Sequence, residues 1–384
     1  MMKKFILIIG VMLVVLVGIF FVTALRSPQT PSPVANPTPA PQTKRSEVLI
    51  APGGMLHKNS APGLKGITDT WDMLTENGMN VFAFTQNWND LEPSPGTFNL
   101  HDQLVNPLTI LVPKYPQLKG VVFVLKMIDT NWRPMPADLA TKSFNDPQVL
   151  KRFDALIDAI AAEPSSKRIT HILLGNEIDG YLNQHPHEYP VFLTFYERAV
   201  NRIHQQMPGV KVGTIFTFQG VGTNPPFFDR VKEISDFIDY TYYPVGGLQN
   251  GNVSPTWQMR PVGEIAAELN NLAQRASGKP FAFTEIGYSS SPFNNSSEEK
   301  QAEFVQEMFR VLTPYREQGR IAFLLYHAMY DYAPGVCRPY AKQQGASADV
   351  MCDFMENLGL RSYETGAPRK AWDVFVTGVK KWNQ

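Results

Sequence analysis

Two short apolar runs end in a glutamate: Ile172-Leu173-Leu174-Gly175-Asn176-Glu177 and Phe281-Ala282-Phe283-Thr284-Glu285. Ionised carboxylates are almost never buried unless they are paired or working. A buried strand that delivers a carboxylate at its C-terminal end therefore points to chemistry, and two such strands point to two acids aimed at one substrate. One reaction that needs such a pair is acid–base and nucleophilic attack at a glycosidic carbon. One carboxylic acid protonates the leaving oxygen, and a second carboxylate, about 5–5.5 Å away in retaining enzymes, attacks the anomeric carbon. The first needs a raised pKa, from burial or a neighbouring negative charge, while the second must stay ionised.

Both runs belong to a longer alternation. The pattern predicts strands at Val48–Ala51, Asn80–Thr85, Val121–Met127, Ile169–Gly175, Val210–Phe216, Ile238–Tyr243, Phe281–Thr284 and Ile321–His327. Amphipathic stretches between them read as helices, including Pro147–Ala162 behind the N-cap residue Asp146 and Ser297–Glu317. The segment His101–Tyr115 also reads as mostly helical. Continuous apolar runs indicate strands buried on both faces, and strict β-then-α order indicates a parallel sheet. Eight such units in one domain predict an α/β fold of the (β/α)8, or TIM-barrel, type. The alternative, a doubly wound sheet, lacks support because Gly54, Gly63 and Gly66 do not form a G-x-G-x-x-G phosphate fingerprint. In a barrel the working residues sit at the C-terminal strand ends, which puts Glu177 after the fourth strand and Glu285 after the seventh.

Further residues match in order. Trp88-Asn89-Asp90-Leu91-Glu92-Pro93-Ser94-Pro95-Gly96-Thr97-Phe98 follows the second strand, and Tyr240-Thr241-Tyr242-Tyr243-Pro244 closes the sixth. With Asn176-Glu177 and Glu285, these resemble the clan of retaining (β/α)8 β-glycosidases that includes cellulases, β-mannanases, β-galactanases and β-xylosidases. The resemblance spans about Glu47 to Trp382. It implies that Glu177 is the acid/base and Glu285 the nucleophile, with Asn176 bonded to the sugar 2-hydroxyl. It implies that Tyr242 or Tyr243 donates to Glu285; Tyr243, next to Pro244, is the preferred one. The implied chemistry requires no metal or organic cofactor, and the implied partner is a β-linked oligo- or polysaccharide.

Sugars present apolar C–H faces, so the loop residues Trp88, Trp132 and Trp257 are candidate stacking platforms, with covering of the barrel rim as the plain alternative. His327, at the end of the eighth strand, could meet a sugar hydroxyl or be an ordinary core histidine. His185-Pro186-His187-Glu188 has too few ligands in view to read as a metal site. Two departures from the clan pattern stand out. Thr85-Gln86-Asn87-Trp88 holds no arginine where members commonly have one supporting the nucleophile. Leu325-Tyr326-His327-Ala328 ends the eighth strand without the common tryptophan.

The rest of the chain bears on location. Residues 1–26 begin Met1-Met2-Lys3-Lys4 and run apolar from Phe5 to Leu25, long enough to span a bilayer. They read as an uncleaved N-terminal membrane anchor or a cleaved signal peptide, with an exported remainder. Residues 27–46 carry six prolines among Ser, Thr, Ala, Gln and Asn, as expected of an extended spacer. Residues 47–384 have globular composition and are expected to form the (β/α)8 catalytic domain that the resemblance implies. Formal net charge is zero, with no basic stripe, which argues against nucleic acid as a partner. In an exported chain, Cys337 and Cys352 are expected to form a disulfide; two free thiols are the alternative. A barrel that binds glycan without catalysis, and a transglycosylase remodelling envelope glycan, are the two rival readings of the same residues.

Overall fold

The computed structural model describes residues 48–53, 56–246, 257–343 and 347–384. The apolar run at 5–25 and the proline-rich spacer lie outside the described residues. Among those described, no helix is long and apolar enough to cross a membrane.

The strands are β1 (Leu49–Pro52), β2 (Val81–Asn87), β3 (Gly120–Asp129), β4 (His171–Asn176), β5 (Lys211–Gly213), β6 (Ile215–Thr217), β7 (Ile238–Tyr242), β8 (Phe281–Ile286) and β9 (Ile321–Tyr326). All their pairings are parallel, in two runs ordered β2-β3-β4-β5 and β6-β7-β8-β9-β1. Polar side chains bridge the two seams. At the first, Asn80 imitates a strand: its Oδ1 accepts from Ile50 N at 2.8 Å and its Nδ2 donates to Val48 O at 3.0 Å. At the second, the expected strand Val210–Phe216 breaks at Thr214. Its first half follows β4 and its second half follows β7. The Thr214 hydroxyl donates to Leu174 O at 2.7 Å, and its carbonyl accepts from Asp239 N. With β5 and β6 as two halves of one stave, the eight-stave barrel expected from the sequence is present.

Most staves are buried along nearly their whole length, as their continuous apolar sequences require; β2, which ends Thr85-Gln86-Asn87, is buried only at Val81 and Phe82. Helices cover them at Leu64–Glu76, Pro147–Ala162, Tyr189–Gln206, Pro225–Ile234, Ile265–Arg275, Glu298–Glu317 and Lys370–Trp382. Asp146 caps its helix by accepting from Gln148 N at 2.8 Å, and Ser297 caps Glu298–Glu317 by accepting from Lys300 N at 3.3 Å. The helical segment after β2 is wider than an α-helix: His101–Val105 and Pro107–Leu111 are π-helical, and Pro107, which has no N–H, stands at their junction.

Cys337 and Cys352 form a disulfide. It clips the segment after β9, which carries the helices Arg338–Gln343 and Ala348–Met355, elements the strand-and-helix alternation did not announce.

Candidate active site

Burial along the staves breaks at their C-terminal ends. Lys126 and Asp129 of β3, Asn176 of β4 and Glu285 of β8 are half-buried, as are Thr130, Glu177, Tyr243 and His327 just past their strands. This ring of polar groups is the barrel mouth.

Glu177 follows β4 in a left-handed conformation, φ 46°, and starts the helix Ile178–Gln184. Gly175, at φ 86°, makes the preceding bend; a Cβ there would lie 2.5 Å from the Ile178 side chain. The Glu177 carboxyl is held by two hydroxyls. Thr130 donates to its Oε2 at 2.7 Å and Thr241 donates to its Oε1 at 2.7 Å. Thr130 is itself left-handed at φ 52°, uncommon for a β-branched residue and the kind of strain that gathers at functional sites. Burial, then the charge of Glu285, pushes the Glu177 pKa up to about 7, against the two threonine hydroxyls.

Glu285 lies inside β8, one residue beyond the strand end expected from the sequence. Its Cα partner across the ladder is Thr241, the residue bonded to Glu177. A single threonine thus links the strand bearing one glutamate to the side chain of the other. Tyr243 donates to Glu285 Oε2 at 2.6 Å. Burial raises the Glu285 pKa, while the Tyr243 bond and the Lys126 charge oppose that rise.

The order Tyr240-Thr241-Tyr242-Tyr243 alternates in space as a strand must. Thr241 and Tyr243 face the two glutamates. Tyr240 and Tyr242 face the helix Ile265–Arg275, donating to Leu272 O at 3.2 Å and Glu268 Oε2 at 2.5 Å. Tyr242 is fully buried in that layer, so its expected place in the mouth is corrected. Trp88 needs the same correction. It is fully buried, and its indole donates to Glu92 Oε2 at 2.9 Å. Glu92 Oε1 accepts from Gly96 N and from Arg152 Nε, each at 2.8 Å. The Trp-to-Glu spacing after β2 therefore builds a buried polar staple under the loop, with no face left for a sugar.

The remaining candidates lie around the mouth. Trp132 is exposed at the rim, on a turn where it trades two backbone hydrogen bonds with Asp129. Trp257 is half-buried against Phe354, ring centroids 5.1 Å apart, and Phe354 in turn meets Tyr243 at 5.6 Å. The disulfide-clipped segment thus contributes an aromatic wall beside Glu285. His327 meets the Tyr332 hydroxyl at 2.7 Å through Nε2, and burial pushes its pKa down to about 4, so it is neutral at physiological pH. Asn176 donates to Asp129 Oδ1 at 3.0 Å. His185 stacks on Tyr181 with centroids 4.1 Å apart, while His187 points into solvent.

Sequence reasoning missed Thr130, Thr241, Asp129 and Lys126. Thr241 was legible, since a period of two puts it beside Tyr243. The other three sit where β3 becomes irregular, and nothing in the residue types announces that irregularity.

No protein-family model matches the chain, and no curated protein matches it in sequence. Solved structures do match it in shape. A GH5_18 protein from Streptomyces cattleya in complex with Manb1-4GlcNAc is 16% identical, with 84% of this chain and 76% of that chain covered and a TM-score of 0.61. The exo-beta-1,4-mannosidase Op5Man5 from Opitutaceae bacterium strain TAV5 is 18% identical, with 88% and 60% covered and a TM-score of 0.62. The Ignisphaera aggregans GH53 catalytic domain is 17% identical, with 79% and 86% covered and a TM-score of 0.56. At these identities the likeness speaks for architecture alone: this chain has a (β/α)8 barrel like theirs.

Proposed function

We propose that this protein is a retaining glycoside hydrolase acting on a β-linked glycan outside the cytoplasm. The observation that carries the reading is the pairing of two half-buried glutamates in unlike environments, joined through Thr241. Glu177 has a pKa near neutrality, suited to giving and taking a proton at physiological pH. Glu285 is aimed by a phenol that favours its ionised form.

In the first step Glu285 forms a bond to the anomeric carbon while the bond to the leaving oxygen breaks, and Glu177 supplies the proton to that oxygen. In the second, Glu177 takes a proton from water as the water oxygen attacks the same carbon, and Glu285 leaves as a carboxylate. In this reading Asn176, beside Glu177, bonds the 2-hydroxyl, and Trp132 and Trp257 meet a sugar face. Neighbours of the same fold hold Manb1-4GlcNAc, so a β-mannoside is the first substrate to try. Export is supported by the apolar run at 5–25, which reads as an anchor or a signal, by the spacer at 27–46 and by the disulfide.

The test is separate Glu177→Ala and Glu285→Ala variants assayed on 4-nitrophenyl β-D-mannoside, β-D-glucoside and β-D-galactoside. Both should lose turnover. Azide should restore the first as the β-glycosyl azide and the second as the α-glycosyl azide, because azide then replaces the missing base-activated water or the missing nucleophile. Unchanged turnover in either variant sinks the assignment.

A further inference from the structure

Side chains at i and i+3 of a regular strand point to opposite faces. Lys126 and Asp129 of β3 nevertheless meet, Nζ to Oδ2 at 2.6 Å, both less than a fifth exposed. The ladder explains how. Leu125 pairs with Leu174 and Asp129 pairs with Asn176, so four steps along β3 match two along β4. The bulge begins where the β2 ladder ends, at the pair Asn87–Lys126. Bulges of this kind re-aim side chains and concentrate beside active sites. This one turns a lysine and an aspartate toward the mouth together.

Asp129 is shared. Its Oδ2 takes Lys126 and its Oδ1 takes Asn176 Nδ2 at 3.0 Å. The next residue, Thr130, donates its backbone N–H to Asn176 O and its hydroxyl to Glu177. Two consecutive residues at the end of β3, Asp129 and Thr130, therefore hold the Asn176-Glu177 pair between them, and Lys126 holds the first of the two. We propose that Lys126 is a positioning residue for the glycosidase site: its ammonium balances Asp129, so that Glu285 keeps its charge while Asp129 holds Asn176 in place.

The charges around Glu285 are in keeping with this. From β3 it faces Asp129 and Lys126, from the end of β4 Glu177, from β7 Asp239, and from beyond β7 the Tyr243 hydroxyl. Asp129 raises its pKa and Lys126 lowers it. The Tyr332 hydroxyl and the neutral His327 stand behind Tyr243. Removing Lys126 would do two things with one sign: it deletes a cation and leaves the Asp129 carboxylate unbalanced.

This inference rests on the glycosidase reading, and the experiment separates the two. The probe is the 2,4-dinitrophenyl β-glycoside of the sugar that the wild-type chain turns over, starting with mannose. Its leaving group needs no proton, so the acid limb of kcat/KM against pH reports the ionisation of Glu285. In Lys126→Met the acid limb should move up by about one unit, lowering kcat/KM about tenfold on that limb and about twofold at most on the plateau. In Lys126→Arg it should stay at the wild-type position. An unmoved limb in Lys126→Met overturns the proposal. So does an equal loss at every pH, or a limb in Lys126→Arg displaced as far as in Lys126→Met. If Lys126→Met does not fold, Lys126→Gln is judged by the same criteria. A Glu285→Ala variant that keeps turnover takes the glycosidase reading down as well; an inactive Glu285→Ala beside an unmoved Lys126→Met limb takes down this inference alone.

Discussion

Glu177→Gln should make the folded protein more stable, and only above a definite pH. In the fold, burial and Glu285 push the carboxyl from its ordinary 4.5 up to about 7. Between those two values the folded chain holds a proton there that the unfolded chain has released. Stability then falls as pH rises, and the fall is complete once pH passes the folded pKa. The sign is opposite to that of a salt-bridged carboxylate. A shift from 4.5 to about 7 corresponds to about 3 kcal/mol, and partial contact with water at the mouth reduces this to about 2 kcal/mol. Glutamine keeps the shape and cannot ionise. Its amide can still meet the Thr130 and Thr241 hydroxyls, each of which can turn to donate or accept. Wild type and variant should therefore unfold at the same urea midpoint near pH 4, diverge between pH 5 and 7, and stay apart at pH 8 with the variant more stable. A midpoint difference that is constant from pH 4 to 8, or that favours wild type as pH rises, refutes the reasoning. The measurement needs no substrate, so it tests the electrostatics of the site apart from its proposed reaction.

Tyr243→Phe removes a 2.6 Å bond to Glu285 that favours the carboxylate, so the acid limb of kcat/KM should move up by about one to two units, read on the dinitrophenyl glycoside. Thr241→Val removes a bond that favours ionised Glu177, so the basic limb should move up by about one unit, read on a glycoside whose leaving group needs protonation. Glu92→Ala leaves the Trp88 indole and the Gly96 N–H without their acceptor and Arg152 with Asp138 as its remaining carboxylate partner, and should cost about 2–3 kcal/mol in urea unfolding. Cys337→Ser with Cys352→Ser should cost about 3 kcal/mol, the value for closing a loop of this length, read as a lowered unfolding midpoint that added reductant no longer changes.

Most of the barrel was legible because its signal is continuous burial. A stave such as Ile172–Leu174 or Phe281–Phe283 has to be apolar on both faces, and few other elements ask for that. The glutamates at the ends of such runs stood out for the same reason. What escaped depends on register. Val210–Phe216 reads as one strand, yet its two halves serve different neighbours because Thr214 turns its hydroxyl onto Leu174 O. Trp88 has the composition of a platform and the position of a staple. Only the bond to Glu92, itself fully buried, tells them apart. Tyr242 and Tyr243 differ by one residue, and a period of two is enough to send one to the helices and the other to the nucleophile candidate. The bulge in β3 leaves no mark on composition, since Lys126-Met127-Ile128-Asp129 looks like an ordinary strand end.

The two carboxyls are distinguished by what donates to them more than by how deeply they lie. Burial raises both. Glu177 is offered two neutral hydroxyls, one from a strained threonine after β3 and one from β7. These aim it and favour its carboxylate, yet burial and the charge of Glu285 outweigh them and keep its pKa near 7. Glu285 is offered a phenol at 2.6 Å and the charge of a cation from β3, across the mouth, a pair that favours the carboxylate. Thr241, bonded to one glutamate and in register with the other, fixes their relative height. Their mutual repulsion opposes double ionisation, so below about pH 7 one of them keeps a proton. The distribution of donors assigns it to Glu177, and exchanging the phenol for a neutral acceptor beside Glu285 would be expected to move it across.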